Sequence, residues 1–373
     1  MQQLNYLQDQ LPSSSPNRLL EALQDIVRNV RIESNFRINH PDYKPSELPT
    51  EMLTRFQQVP QNLQKKYLSL HLRNFLYGIH YSGSLRSTLA LDTDLDSLAL
   101  RKKLENNTFM GIDIEFFARL HESNCGKGYF DPGWRVLRQE NDGSLAVKKG
   151  GLTLHIERNR HLQLTEQSST VGDLVAIWTP RNRVQNGFYV AVGNAGQENH
   201  SNLDSHSGIV RIYFNLSFEG AAAVMKCITQ QLNEIQLPFT FKVLYNPSDY
   251  GRFDSGVLYF NKSNYEGVRQ VIQTVYKENK RYFQIEVPLF TKFIAPGLAL
   301  AEEPNHKFST QESFGMNRCQ IVANGLLEAW QKGDNSPEAR MTAIIQYFAL
   351  LEIDLQRSYL NANSEDIYTQ LSL

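Results

Sequence analysis

Three features are scarce in this chain of 373 residues: cysteine, an excess of charge of one sign, and long apolar runs. The only cysteines are Cys125, Cys227 and Cys319, so neither a disulfide framework nor a Cys-x-x-Cys metal site is expected. Lys and Arg number 38 against 39 Asp and Glu, and the resulting net charge of −1 argues against a general nucleic-acid binder. No apolar stretch reaches the roughly 18 residues of a membrane-spanning helix, so none is expected.

Several targeting and catalytic motifs are also missing. The N-terminus lacks the basic and apolar segments of a secretory signal, and together with the few cysteines this predicts a reducing, cytoplasmic location. No GxGxxG, GxxxxGK[ST] or GxSxG sequence supports a nucleotide site or a serine hydrolase. His155 and His161 do not have the spacing of a zinc hydrolase. Glu302 and Glu303 lie near His306, but adjacent acids on a loop are usually solvated, so no metal site is predicted there.

Apolar periodicity divides the chain into a helical N-terminal region, 1–125, and an α+β domain, 126–373. A helix is predicted to begin at Ser13–Pro16, and residues 40–49 are predicted to form a loop. A second helical stretch is predicted to begin near Thr50 and to resume after Pro60.

The C-terminal domain follows the order βαββαβ, which indicates an α+β fold with a mixed, mainly antiparallel sheet and flanking helices. Strands are predicted at 151–156, 173–178, 187–192, 209–218, 239–244, 255–260 and 282–287. Helices are predicted at 221–235, 265–278, 314–330 and 336–359. A polar loop is predicted at 195–207.

Polar side chains alternate with apolar ones along two of these strands. Arg211, Tyr213 and Asn215 share one face of the first strand, and Lys242 lies on the polar face of the second. Such residues form either the solvated face of a half-buried sheet or the lining of a polar cleft, and the pattern leaves both interpretations open.

Further charged residues follow in the adjoining loops: Arg252, Asp254, Lys292 and Arg318. Arg318 is predicted near the start of a helix, where a cation is favourable if an anion also binds. Arginine suits a bidentate grip on phosphate. For each residue alone, a surface ion pair such as Arg252 with Asp254 is the simpler interpretation. The number of cations around one sheet favours an anion site.

The C-terminal half resembles the HopA-type family of type III effectors, over roughly residues 126–330. The most specific similarity joins FTK-x-x-APG-x-x-LAEEP to SFG-x-x-RC. The segments that carry the resemblance are GFYVAVGN, VRIYFNLS, PFTFKVLYNPSDYGRFDSGVLYF, PLFTKFIAPGLALAEEP and SFGMNRC.

The resemblance implies a function. HopA-like proteins, which also occur in bacteria and cyanobacteria outside secretion systems, serve as lyases beside a kinase in class V lanthipeptide and thioamitide pathways. They remove phosphate from phospho-Ser or phospho-Thr of a precursor peptide, giving dehydroalanine or dehydrobutyrine. The chain also shows a distant likeness to phosphothreonine lyase effectors. In this comparison Lys242 corresponds to their lone lysine, and Arg252 and Arg318 correspond to their phosphate-binding arginines. Two departures stand against this likeness: Tyr213 lies at the position of a histidine in phosphothreonine lyases, and Asn317 lies where many HopA-like sequences have histidine.

On this basis we expect a phospho-Ser/phospho-Thr lyase with Lys242 as general base. A lysine acts as a base only when burial or nearby cations lower its pKa, and Arg211, Arg252 and Lys292 would supply those cations. Tyr213 or Tyr189 would donate a proton to the leaving group, and Asp254 would orient Arg252. The predicted catalytic groups are Lys242, Tyr213 and Tyr189, and the predicted substrate-binding groups are Arg211, Asn215, Arg252, Asp254, Lys292 and Arg318.

This elimination requires no metal and no organic cofactor. The expected partners are a phosphorylated peptide or protein and a kinase of the same pathway, without nucleic acid or membrane. Two alternatives stay open. The cleft could hold a phosphopeptide, a nucleotide or an acidic protein segment without chemistry, or the chain could be an effector-like interaction protein whose helical N-terminus binds a partner.

Overall fold

The computed structural model describes residues 17–33, 36–47, 58–91, 108–196 and 208–372. The predicted helix starts at 13–16 and near Thr50, and most of the predicted loop at 195–207, lie outside these residues. Within the described ranges, no helix is both long enough and apolar enough to cross a membrane.

The α-helices are numbered in chain order. They are α1 Asn17–Asn29, α2 Gln61–Leu76, α3 Arg86–Leu89, α4 Ile114–Ser123, α5 Arg158–His161, α6 Phe218–Glu234, α7 Tyr265–Asn279, α8 Phe314–Gln331 and α9 Pro337–Leu350. A π-helix, Tyr77–Tyr81, directly continues α2. Short 3₁₀ turns occupy Leu164–Glu166, Pro247–Asp249, Lys262–Asn264, Lys280–Tyr282 and Leu355–Arg357.

The strands are numbered in the same way. They are β1 Arg31–Ile32, β2 Ile38–His40, β3 Tyr43–Ser46, β4 Thr108–Phe109, β5 Ile112–Asp113, β6 Tyr129–Gln139, β7 Leu145–Lys149, β8 Leu152–Ile156, β9 Leu174–Thr179, β10 Asn182–Gln185, β11 Phe188–Val192, β12 Ile209–Phe214, β13 Thr240–Leu244, β14 Gly256–Asn261, β15 Lys292–Ala295 and β16 Leu298–Glu302. The predicted α+β class is confirmed.

A seven-stranded antiparallel sheet organises the C-terminal half, in the order β10-β11-β13-β14-β12-β16-β15. Because side chains alternate along a strand, the register sorts them onto two faces. The face called here the Tyr213 face also carries Arg211, Lys242 and Tyr259. The opposite face, called the Tyr189 face, also carries Phe241.

Both faces are covered, so the predicted solvated face is wrong. On the Tyr189 face, Phe117 of α4 packs on Tyr189, and α6 contacts β13. On the Tyr213 face, Tyr81 of the π-helix and Phe314 of α8 both contact Tyr213. Along β12, every residue after the first is buried. The polar side chains of this strand therefore lie inside the protein, where each requires a partner.

One hydrophobic core joins the helical N-terminal region to the large sheet. It includes Leu23 of α1, Leu72 of α2, Ile212 of β12 and Leu326 of α8. A second, smaller core lies on the four-stranded sheet β8-β7-β6-β9 around Trp134. The predicted helical face of α1 is confirmed, because Leu20, Leu23, Ile26, Val27 and Val30 are all buried.

Four local predictions are wrong. The helix predicted at 336–359 ends at Leu350. Residues 282–287 form no strand: a 3₁₀ turn ends at Tyr282, and only an isolated bridge joins Leu216 to Phe283. The strand predicted at 209–218 ends at Phe214, and Phe218 already begins α6. The loop predicted at 40–49 contains β3, which pairs with β2. In each case tertiary contacts override the local apolar pattern.

Candidate functional site

Lys242 lies half-buried on the Tyr213 face, between two aromatic rings. Its Nζ is 4.5 Å from the ring centroid of Phe188 and 5.3 Å from that of Tyr259. The guanidinium of Arg211 lies 5.0 Å from the same Tyr259 ring. The pairing of β12, β13 and β14 produces this arrangement, because Tyr259 faces Arg211 on one side and Thr240, two residues from Lys242, on the other. We call these residues, with Glu303, the Lys242 site.

Arg211 is the second cation of the Lys242 site, and it is neutralised within the chain. Its side chain forms an ion pair with Glu303, which also binds Lys307. Burial alone would lower the pKa of Arg211, but the neighbouring Tyr259, Tyr213 and Glu303 offset this effect and raise the pKa. Arg211 therefore remains charged, and an anion that binds there competes with Glu303.

Lys242, in contrast, forms no ion pair with any residue that the structure describes. Its ammonium group is held by the faces of Phe188 and Tyr259, which attract a cation without neutralising its charge. An anionic ligand can add to such a site without displacing a carboxylate. This property distinguishes Lys242 from Arg211, Arg252 and Lys292, each of which is paired with a carboxylate.

Tyr213 lies deep beneath the π-helix. Its ring contacts Tyr81 and Phe314 at centroid distances of 6.4 and 6.3 Å. The hydroxyl is buried and has no hydrogen-bond partner among the described residues. Burial raises the pKa of Tyr213, although the nearby Arg211 opposes the shift. In this conformation the phenol is enclosed by protein side chains.

Arg252 and Asp254 form a buried pair rather than the surface ion pair considered from sequence. Arg252 donates to both carboxylate oxygens of Asp254, at 2.6 and 3.0 Å. The hydroxyl of Tyr77, in the π-helix, donates to Asp254 at 2.9 Å. Burial alone would lower the pKa of Arg252, but Asp254 raises it. Tyr77 in turn stacks on Tyr81 at 5.0 Å, so aromatic rings connect this pair to Tyr213.

Arg318 is fully buried in α8, and its donors are used by the chain itself. It donates to the carbonyls of Ser358 and Leu360, at 2.7 and 2.9 Å, and to Oδ1 of Asn317 at 2.6 Å. Burial lowers its pKa to about 10. Asn317, which stands at the histidine position of relatives, donates to the carbonyl of His306. Both residues hold backbone segments in place.

Lys292 lies at the far edge of the sheet. It donates to Asp366 at 2.7 Å and to the hydroxyl of Tyr359 at 3.3 Å. Four strand spacings of about 4.8 Å place β15 about 19 Å from β13, so Lys292 does not adjoin Lys242. The neighbouring Glu302, expected to be solvated, is instead buried in β16.

Two further predicted residues also lie away from Lys242. Tyr189 projects from the opposite face, where its hydroxyl is 3.1 Å from both His121 and Asn124. Asn215 follows β12 and donates to the carbonyl of Glu286 at 2.9 Å, while its Oδ1 is buried without a partner in the described structure.

Sequence reasoning missed Tyr259, Phe188 and Glu303 in the Lys242 site, and Tyr77 and Tyr81 above the sheet. The sequence predicts that Tyr259 lies in a strand, within GVLYF. Its contact with both Arg211 and Lys242 depends on the order of the strands in the sheet, which the sequence does not show. Tyr77 and Tyr81 belong to a helical stretch that was interpreted as packing.

Comparisons with known proteins agree with the motifs described above. The model of the HopA1 effector protein family matches residues 179–360, a region that contains the whole Lys242 site. Residues 179–360 are therefore similar to the HopA1 effector protein family. No curated protein matches the chain.

Two solved structures are similar to this chain. One is an effector protein from Pseudomonas syringae pv. tomato strain DC3000, with 14% sequence identity and a TM-score of 0.40, covering 82% of this chain and 100% of that one. The other is an effector protein from Pseudomonas syringae pv. syringae strain 61, with 15% identity and a TM-score of 0.40, covering 81% of this chain and 98% of that one.

Proposed function

We propose that this HopA1-like chain is an effector-like protein that binds a phosphorylated serine or threonine side chain at the Lys242 site and eliminates the phosphate. The observation that carries the proposal is the half-buried Lys242 ammonium, held by two aromatic rings and unpaired with any described carboxylate, beside Arg211. Charged donors in a partly desolvated site favour a phosphate ligand.

In the proposed elimination, the Lys242 ammonium first releases a proton to water, and the free amine then accepts the Cα proton of the phosphorylated residue. The electrons of the Cα–H bond form the Cα=Cβ bond, the Cβ–O bond breaks, and phosphate leaves with both electrons. The product is dehydroalanine or dehydrobutyrine. Arg211 turns from Glu303 towards the phosphate and stabilises the developing charge.

The proton donor is assigned to Tyr259. Its ring contacts both Lys242 and Arg211, whereas Tyr213 is enclosed and Tyr189 lies on the other face of the sheet. The remaining predicted residues then act indirectly: Arg252 with Asp254 supports the π-helix above Tyr213, and Arg318 holds the C-terminal segment.

The test is mass spectrometry of phospho-Ser and phospho-Thr peptides incubated with the full chain and a thiol. The expected result is loss of phosphoric acid with thiol addition. Lys242→Met is expected to reduce the rate at least about 100-fold, as for loss of a general base. The matched control is Lys277→Met, an exposed lysine on α7, which should retain full activity. Full activity of Lys242→Met would exclude Lys242 as the base.

Binding without chemistry is the second candidate function. It is favoured by the enclosed hydroxyl of Tyr213 and by the internal pairing of Arg252 and Arg318, which leave few groups free to act on a substrate. Peptides that bind in a Lys242-dependent manner but remain phosphorylated would support this function and contradict the lyase.

A further inference from the structure

Three side chains of the N-terminal layer converge at one point outside the Lys242 site. Asp25 comes from α1, His40 from the end of β2, and His80 from the π-helix. The Oδ2 of Asp25 lies 3.2 Å from Nε2 of His40 and 3.8 Å from Nδ1 of His80. One ligand atom from each residue lies within 4.8 Å of the other two.

These separations fit a metal ion at the centre. Around a tetrahedral zinc with bonds of 2.0 to 2.1 Å, adjacent ligand atoms are about 3.3 Å apart. The two distances to Asp25 Oδ2 lie on either side of this value, and the imidazole nitrogens, within 4.8 Å of each other, close around the ion when it binds. Two imidazole nitrogens and one carboxylate oxygen also form a typical donor set for divalent transition metals.

The hydrogen bonds of His80 provide a second, independent observation. Its side chain is only 6% exposed, yet Nε2 is buried without a partner in the described structure. Its Nδ1 is too far from Asp25 for a hydrogen bond. A buried imidazole normally has its polar atoms satisfied, whereas Nδ1 of this ring faces Asp25 without a hydrogen bond, and a metal ion between the two would be its partner.

The neighbouring groups resemble the outer shell of a metal site. Asn29 donates to Oδ1 of Asp25 at 2.6 Å, which orients the carboxylate and leaves Oδ2 for the imidazoles. The Asp42 carboxylate lies 4.0 Å from Nδ1 of His40. The backbone N–H of Asp42 donates to the same Nδ1 at 3.2 Å. When Nε2 of His40 binds a metal, its proton moves to Nδ1, so this N–H must turn away and the Asp42 carboxylate accepts the proton instead.

We propose that Asp25, His40 and His80 bind one divalent metal ion of the zinc type. The two imidazoles are buried, but the Asp25 side chain is 36% exposed, so the fourth position is open to water on that side. The ion connects α1, β2 and the π-helix that carries Tyr77 and Tyr81. The site is independent of the proposed lyase activity.

The test is calorimetric titration of the chelator-treated, tag-free full chain with Zn²⁺, and with Co²⁺ as a spectroscopic probe. We expect one Zn²⁺ per chain, visible absorption bands of tetrahedral Co²⁺, and a higher melting temperature with Zn²⁺. Asp25→Asn and His80→Gln should each weaken Zn²⁺ binding more than 10-fold. The matched control is His306→Gln, an exposed histidine outside the cluster, which should bind as the wild type does.

Circular dichroism before metal addition separates loss of the site from loss of the fold. If His80→Gln does not fold, the partly exposed Asp25 still provides the decisive variant. Absence of Zn²⁺ binding by the folded wild type would overturn the proposal, as would equal Zn²⁺ affinities of Asp25→Asn and His306→Gln.

Discussion

Charged side chains of the seven-stranded sheet region are available either to a ligand or to the protein itself, and their hydrogen bonds and ion pairs separate the two roles. Lys242 contacts aromatic faces and is left without a carboxylate among the described residues. Arg318, in contrast, donates hydrogen bonds from its guanidinium to three oxygen atoms of the protein. From the sequence, Lys242 was predicted as the general base and Arg318 as a phosphate-binding group, and only their contacts in the fold separate the two roles.

Arg318→Met tests this distinction. The variant leaves the carbonyls of Ser358 and Leu360 without their donor, so the free energy of unfolding should fall by about 2–4 kcal/mol. Arg357→Met removes an exposed ion pair with Asp354 and should cost about 0–1 kcal/mol. Urea denaturation measures both. An unchanged stability of Arg318→Met with loss of phosphopeptide binding would instead support a direct phosphate contact.

Two helical glycines illustrate how helix packing positions the layer above the sheet. At Gly325 in α8, a Cβ atom would lie 2.8 Å from the backbone of Ile344 in α9, so these helices cross too closely for any side chain. At Gly267 in α7, a Cβ atom would lie 3.2 Å from the flexible side chain of Leu237. The first glycine is required by tertiary contact, whereas the second is not.

Gly325→Ala is therefore expected to destabilise the protein by about 1–3 kcal/mol, because α8 and α9 must separate. Gly267→Ala is the matched control. It should leave stability unchanged or raise it by up to about 1 kcal/mol, since alanine favours helix. Thermal unfolding compares the two variants. Equal melting temperatures would show that the α8–α9 crossing adjusts at no cost.

Across the whole molecule, the C-terminal segment 358–372 ties several elements together. Arg318 of α8 binds its carbonyls, Lys292 of β15 binds Asp366, and Tyr265 of α7 packs on Tyr368 at 4.9 Å. Glu302 of β16 accepts from Lys262, Ser364, Tyr368 and the backbone of Asn361. The sequence predicted a helix as far as residue 359 and assigned no structure to the rest of this segment.

The attachment of this segment should depend on pH. Burial alone would raise the pKa values of Glu302 and Asp366, but hydrogen bonds, from Lys262 and Lys292 among others, lower both. A carboxylate whose pKa is lowered by folding contributes its full stabilisation at pH values above its pKa in the unfolded chain, which is 4.5 for Glu and 3.8 for Asp. This contribution is lost as the pH falls through the lower pKa of the folded state.

Hydrogen exchange should therefore show residues 358–372 losing protection below about pH 4.5, before α8 does. Glu302→Gln should reduce this protection at neutral pH and flatten its pH dependence. If the segment and α8 lose protection together in the wild type, the two carboxylates do not control its attachment.

Much of the architecture could be predicted from local pattern. The buried face of α1 and the strands and helices between β12 and α7 follow from apolar periodicity, which depends only on neighbouring residues. The wrong predictions include the strand at residues 282–287 and the solvated face of β12. There, distant elements decide whether a segment pairs and which side is covered.

The sequence was sufficient for the α+β class and for the family motifs, because composition, spacing and alternation are properties of the chain, whereas Lys242 was chosen through the resemblance to phosphothreonine lyases. Strand order placed Tyr259 between Lys242 and Arg211, and put Tyr189 on the opposite face and Lys292 at a distant edge. The cluster of Asp25, His40 and His80 joins residues up to 55 positions apart, which no local pattern reveals. Contacts between residues distant in sequence arise only when sheets and helices pack, and they decide which polar groups serve a ligand and which serve the fold.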